Sequence, residues 1–201
     1  MQKLIYKNLY LLYLKTLSYG IAQILYVLLS TALVTFLLFN LTTSEFALYS
    51  LARVAPMLLL PLISLNLHAA IIRYYQEWKI NKTTSSSLYT LLITQFLWLF
   101  ISLPLIFVFA ESLFQFLFTK VDYYPLIFIA IIAEILMIPS LYLRDLYNAK
   151  ELSFKYATVL NVHFLIVLLF VILFVLNDQS AYSAIKGILF GNLLFGMISL
   201  F

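Results

Sequence analysis

Arg53 and Glu134 are the residues of this chain whose chemistry fits least with their neighbours. Arg53 stands in residues 46–70, a stretch otherwise apolar apart from Asn66 and His68, and Glu134 stands in Ile131-Ile-Ala-Glu-Ile-Leu-Met-Ile-Pro139. A guanidinium placed in hydrocarbon costs about 2.5–3.5 kcal/mol on insertion scales, so such a group faces a bundle interior or a water-filled cavity rather than lipid. Its planar fork donates two hydrogen bonds at once, which suits a carboxylate or a phosphate. Two uses are therefore open for Arg53. It neutralises Glu134 as a structural pair, or it meets an anionic ligand. The two coexist if the ligand exchanges with the carboxylate.

The other polar residues in apolar surroundings are fewer and more ambiguous. His68 and Asn66 lie near the inner end of the same stretch as Arg53, where they touch a headgroup or bond across helices. His163, with Asn161 beside it, is a lone histidine in a later apolar run, either a proton relay or a hydrogen-bonded packing residue. Lys186 has a stem long enough to carry its ammonium to an interface, or it faces a cavity. Gln23 and Gln95 read as glue between helices. Arg73, Lys79 and Lys82 form a basic inner rim with Arg144 and Lys150, which sets topology and draws anionic headgroups. Asp122, Asp145 and Asp178 are isolated and fall in different loops. No nucleophile–base pair or metal-ligand spacing appears, so the sequence argues against an enzyme and implies no cofactor or metal beyond a possible coupling H⁺ or Na⁺. The absence of cysteine removes disulfides and thiolate metal sites.

These side chains need elements to carry them, and composition says which. The chain has 201 residues, 65% of them hydrophobic and 10% charged. A soluble domain carries about 25% charged residues, so the solvent of this protein is lipid. Six segments are long and apolar enough to span a bilayer, at residues 17–39, 46–70, 88–110, 125–143, 157–176 and 183–201. Their continuous apolar runs predict an all-α, six-helix polytopic bundle. Barrel strands would alternate in polarity. Pro56 and Pro61 predict a bend inside the second helix. Gly187 and Gly191, spaced GxxxG, predict a close approach of two helices. Counting about 1.5 Å per residue, Arg53 lies about 10 Å and Glu134 about 13 Å in from the outer ends of their spans.

Orientation follows from the basic residues. Lys3, Lys7, Lys15, Arg73, Lys79, Lys82, Arg144, Lys150 and Lys155 collect on one side, against Lys120 and Lys186 on the other. The positive-inside rule places the N-terminus in the cytoplasm of a multi-pass cell-membrane protein. The same distribution accounts for the net charge of +4, so no nucleic-acid partner is implied. The chain stops while still apolar, at Gly196-Met-Ile-Ser-Leu-Phe201, which suggests a fragment or one half of a larger transporter.

Three motifs carry a resemblance. Ser44-Glu-Phe-Ala-Leu-Tyr-Ser50, then Ala52-Arg-Val-Ala-Pro56, then Leu65-Asn-Leu-His-Ala-Ala-Ile-Ile-Arg-Tyr-Tyr-Gln-Glu77 resemble the polysaccharide flippases of the MOP superfamily, the O-antigen and oligosaccharide transporters. Ala47 stands where that family usually has glycine. Ala149-Lys-Glu-Leu-Ser-Phe154 and Lys186-Gly-Ile-Leu-Phe-Gly-Asn192 fit the pattern more loosely. The likeness covers the chain in span layout and is specific only around residues 44–77. It implies the N-terminal lobe of a two-lobe transporter, with the C-terminal lobe absent or replaced by a second copy. It also implies alternating-access flipping of a polyprenyl-diphosphate-linked oligosaccharide for surface polysaccharide, such as lipopolysaccharide O-antigen. An ion-coupled antiporter for drugs or small cations, from the same superfamily, is the competing expectation. That chemistry wants free carboxylates in the cavity. A half-transporter without activity of its own is the third.

Overall fold

A computed structural model describes residues 2–117 and 124–200. Lys120 and Asp122 lie outside the described residues. Every regular element among the described residues is an α-helix: α1 (Gln2–Asn40), α2 (Thr43–Ser64), α3 (Ala69–Ile80), α4 (Thr84–Leu117), α5 (Tyr124–Ala149), α6 (Ser153–Asn177) and α7 (Ala181–Leu200). Six segments among them are long and apolar enough to cross a membrane, with α2 and α3 together forming the second. This is an all-α polytopic membrane protein.

At one end of the bundle the helix starts are tied together. Thr42 caps α2 by accepting from the Glu45 backbone N–H at 3.3 Å. Glu45 does not turn back to complete a capping box. Its Oε2 instead accepts from the Ala181 N–H at 2.6 Å, at the first residue of α7. Asp178 closes the turn before α7 by accepting from the Ser180 and Ser183 hydroxyls at 2.6 and 2.7 Å. Those two hydrogen bonds hold its carboxyl below the usual carboxylate range.

Helix α5 is the hub of the bundle, packing on α2, α3, α6 and α7, while α1 lies on α6 and α4 lies at the edge on α2 and α3. One buried cluster joins Leu37, Val171, Val175, Ala184 and Ile185. A second joins Ile63, Ile71, Ile127, Ile131 and Ile138 around the α2–α3 joint. The GxxxG glycines do what their spacing predicts. A Cβ on Gly187 would stand 2.5 Å from Val171 Cα, and one on Gly191 would stand 2.6 Å from Val167 Cα. The α6 and α7 backbones therefore touch.

The second span departs from expectation. It is not one helix bent at its prolines. The helix runs through Pro56 and Pro61 and then stops, because Leu65 and Asn66 adopt left-handed backbone at φ 48° and 49°. A proline removes one N–H and keeps a helical φ, whereas left-handed residues end the helix outright. The break leaves carbonyls at the end of α2 without intrahelical donors, in a region where water is scarce. Side chains from α4 supply them. Trp98 Nε1 donates to the Leu62 carbonyl at 2.7 Å and Gln95 Nε2 donates to the Ile63 carbonyl at 3.1 Å. Tyr142 of α5 in turn donates to Gln95 Oε1 at 3.4 Å. Gln95 is thus the interhelical glue its position predicts. Gln23 is exposed.

Several boundaries also shift. Helix α5 continues past residue 143 to Ala149, so Arg144 and Asp145 are helical and the inner loop shrinks to residues 150–152. Helix α4 begins at Thr84, four residues before the span expected at 88–110.

The α6–α7 contact gives a direct test. Gly187→Ala should cost about 1–3 kcal/mol, because the new methyl meets backbone that must move. Gly20→Ala should be harmless, since nothing lies within 4 Å of its added Cβ. Thermal unfolding of the purified protein in detergent separates the two.

Candidate functional site

Helical rise brings a set of polar side chains to one depth. Arg53 lies ten residues along α2 and Glu134 ten residues along α5, each about 15 Å from the start of its helix. Asn192 lies eleven residues along α7, at about 16 Å. With His163 of α6 and Arg144 of α5, they line a cavity of about 100 Å³. Its walls follow helical spacing: Tyr49 and Arg53 on α2, Leu160, His163 and Val167 on α6, and Ile188 and Asn192 on α7.

The Arg53 Nη1 group hydrogen-bonds Glu134 Oε1. The Glu134 side chain is 2% exposed and that of Arg53 is 30% exposed, so the carboxylate is sealed in while the guanidinium keeps an open side. A carboxylate sealed in this way is tolerable only because it is paired.

A second network fixes the opposite wall. Asn192 Nδ2 donates to the Ala133 carbonyl at 2.7 Å, one residue before Glu134. Its Oδ1 lies 2.9 Å from His163 Nε2. Since the amide N–H is committed to Ala133, the amide oxygen accepts, and His163 donates from Nε2. A neutral His163 then carries its lone pair on Nδ1. The imidazole stacks on Phe195 with ring centroids 4.6 Å apart.

Arg144 is the unexpected member. By sequence it belongs to the inner basic rim, yet it is half-buried on α5 and lines the same cavity as Arg53. The ion pairs among the described residues are Lys15–Glu151, Arg53–Glu134 and His68–Asp145. Arg144 belongs to none of them. The cavity therefore holds two guanidiniums and one carboxylate. The seven-residue spacing from Met137 to Arg144 puts both on one face of α5 and is the sequence signal for its role.

The remaining candidates are elsewhere. His68 Nδ1 lies 2.7 Å from Asp145 Oδ2 at the α2–α3 joint, and Asn66 is exposed in the break itself. Asp145 is thus neither isolated nor in a loop, but buried on α5 with a partner. Lys186 is exposed, its ammonium 5.8 Å from the Tyr182 ring centre, and does not line the cavity. Arg73, Lys79 and Lys82 are exposed, with Arg73 over Tyr74 at 5.3 Å. Lys15 bonds Glu151 at 2.6 Å and holds that carboxyl below its ordinary range. No group of three or more His, Asp or Glu residues suited to a metal occurs among the described residues.

The Arg53–Glu134 pair predicts a specific pattern of stabilities. Arg53→Met should destabilise by on the order of 3 kcal/mol, because Glu134 is left charged and unpartnered in a dry site. Arg53→Met combined with Glu134→Leu should recover most of that loss. Unfolding of the single and double variants in detergent measures it. No protein-family model, curated protein or solved structure matches this chain.

Proposed function

We propose that this chain is one lobe of a membrane transporter that carries an anionic, lipid-linked headgroup, a polyprenyl-diphosphate-linked oligosaccharide, from the inner to the outer leaflet. The observation that carries the reading is the cation excess along one cavity inside the bundle, with Arg53 and, about three turns further along α5 than Glu134, Arg144 against Glu134 alone. Charged groups inside a membrane bundle are costly and mark substrate pathways. A diphosphate would meet two planar forks suited to its oxygens.

The size of the cavity refines the reading. Ligand pockets for whole small molecules run to about 300–1,000 Å³, and this one holds about 100 Å³. It has room for a phosphate-sized group and not for a sugar chain. The sugars then lie against a second lobe, either a C-terminal half or another copy, across which alternating access occurs. The motifs around residues 44–77 support the same assignment. The competing cation antiporter has less to work with, because the one carboxylate lining the cavity is already neutralised by Arg53. The inner-rim cations Arg73, Lys79 and Lys82 serve to gather the anionic headgroup before entry.

Full-length protein in proteoliposomes tests this. A short polyprenyl-diphosphate-linked sugar should move between leaflets, and Arg144→Gln should slow it by about tenfold or more while the amount of folded protein holds. Accumulation of a cationic dye, with no movement of the lipid-linked sugar, would overturn the assignment.

A further inference from the structure

The His68–Asp145 pair stands apart from the central cavity and from any role in holding substrate. It joins the break after α2 to the hub helix α5, and its side chains are 16% and 9% exposed. We propose that this pair is a proton-binding site that controls the α2–α3 joint.

The chemistry follows from the charge states. With a neutral imidazole donating from Nδ1, the pair carries one negative charge in a poorly hydrated place. Uptake of one proton at Nε2 gives an imidazolium beside a carboxylate. The pair is then neutral, and its hydrogen bond, already made to an ionised acceptor, gains an ionised donor and an opposite charge as well. The bound proton tightens the link between α3 and α5. Its loss leaves a net charge that draws water and a weaker bond to hold the joint.

The joint is built to respond. Leu65 and Asn66 hold left-handed backbone, which is costly for residues other than glycine and persists only while its surroundings enforce it. Those surroundings include the Trp98 and Gln95 bonds from α4, the Ser64 hydroxyl that accepts the Asn66 N–H at 3.1 Å, and the His68–Asp145 bond, the one among these that a proton changes.

The neighbouring groups leave the titration to this pair. Tyr142 faces His68 with ring centres 6.3 Å apart and gives its hydroxyl to Gln95. Arg144, the adjacent residue on α5, lines the central cavity. On α3, Arg73, Glu77 and Lys79 are exposed. Helix α4 carries no charged residue between Thr84 and Ile106. From α2, Arg53 is committed to Glu134. From α6, His163 donates to Asn192, and Lys155 lies over the Tyr147 ring at 5.6 Å. From α7, Lys186 lies over Tyr182. A single carboxylate beside an imidazole gives a proton a place but gives a hard metal cation too few oxygens.

The lack of cysteine makes the test clean. Leu67, half-buried between Asn66 and His68, is replaced by Cys in the full chain and labelled in membrane vesicles with a charged, membrane-impermeant maleimide. Lys82→Cys, exposed on the same side, supplies the reference that cancels the intrinsic pH dependence of thiol reactivity. Between about pH 8 and about pH 5, the range in which imidazole ordinarily changes charge, labelling at position 67 relative to position 82 should fall severalfold. The fall should disappear in His68→Gln, which removes the imidazole that takes the proton, and shrink severalfold in Asp145→Asn, which keeps the imidazole but removes the carboxylate it tightens against. A ratio that stays flat with pH, or a slope retained in both variants, would overturn the proposal. The measurement is independent of what the central cavity carries, so it stands or fails separately from the transport assay.

Discussion

A polar group inside hydrocarbon has no water to turn to, and this bundle is organised around that constraint. The two buried carboxylates and the broken end of α2 have their partners on other helices. Glu134 is answered by Arg53, Asp145 by His68, and the carbonyls of Leu62 and Ile63 by Trp98 and Gln95. Because an unsatisfied group costs several kcal/mol here, these few contacts fix which helices are neighbours as firmly as apolar packing does. They also explain why α5 is the hub. It contributes Glu134, Tyr142, Arg144 and Asp145, so helices with polar groups to satisfy must pack beside it.

The two polar centres are built differently. In the central cavity the pairing is incomplete, since Arg53 keeps an open side and Arg144 has no carboxylate partner among the described residues. The surplus charge is what a passing anion would meet. At the α2–α3 joint the pairing is complete, but one partner is an imidazole whose charge varies with pH. A surplus suits a binding site, and a variable balance suits a control point.

Much of this was legible from residue types and spacing. Continuous apolar runs announced six spans, the matching depths of Arg53 and Glu134 left their pairing open as one of two uses, and Gly187 with Gly191 announced a close approach of two helices. What the sequence concealed depended on where helices end. Polar residues at 144–155 looked like a loop, because the same side chains that face water can face one another across a bundle. That hid both Arg144 in the cavity and Asp145 beside His68. The prolines at 56 and 61 drew attention from the true break at Leu65 and Asn66, which no residue type at those positions signals strongly. Asn192 lay inside a motif whose glycines had an adequate explanation already.

The peripheral helix α4 is held in an unusual way. Phe96, Leu97, Phe100, Ile101 and Leu105 all point outward, while Gln95 and Trp98, three residues apart, reach inward to the end of α2. The two directional bonds fix the azimuth of the rod at one latitude, while Leu88, Leu91, Leu99 and Ile106 seat it on the core along about five turns. A thicker or thinner bilayer that presses on its exposed face therefore acts on α4 as on a spoke, and the bonded point of that spoke is the break in α2.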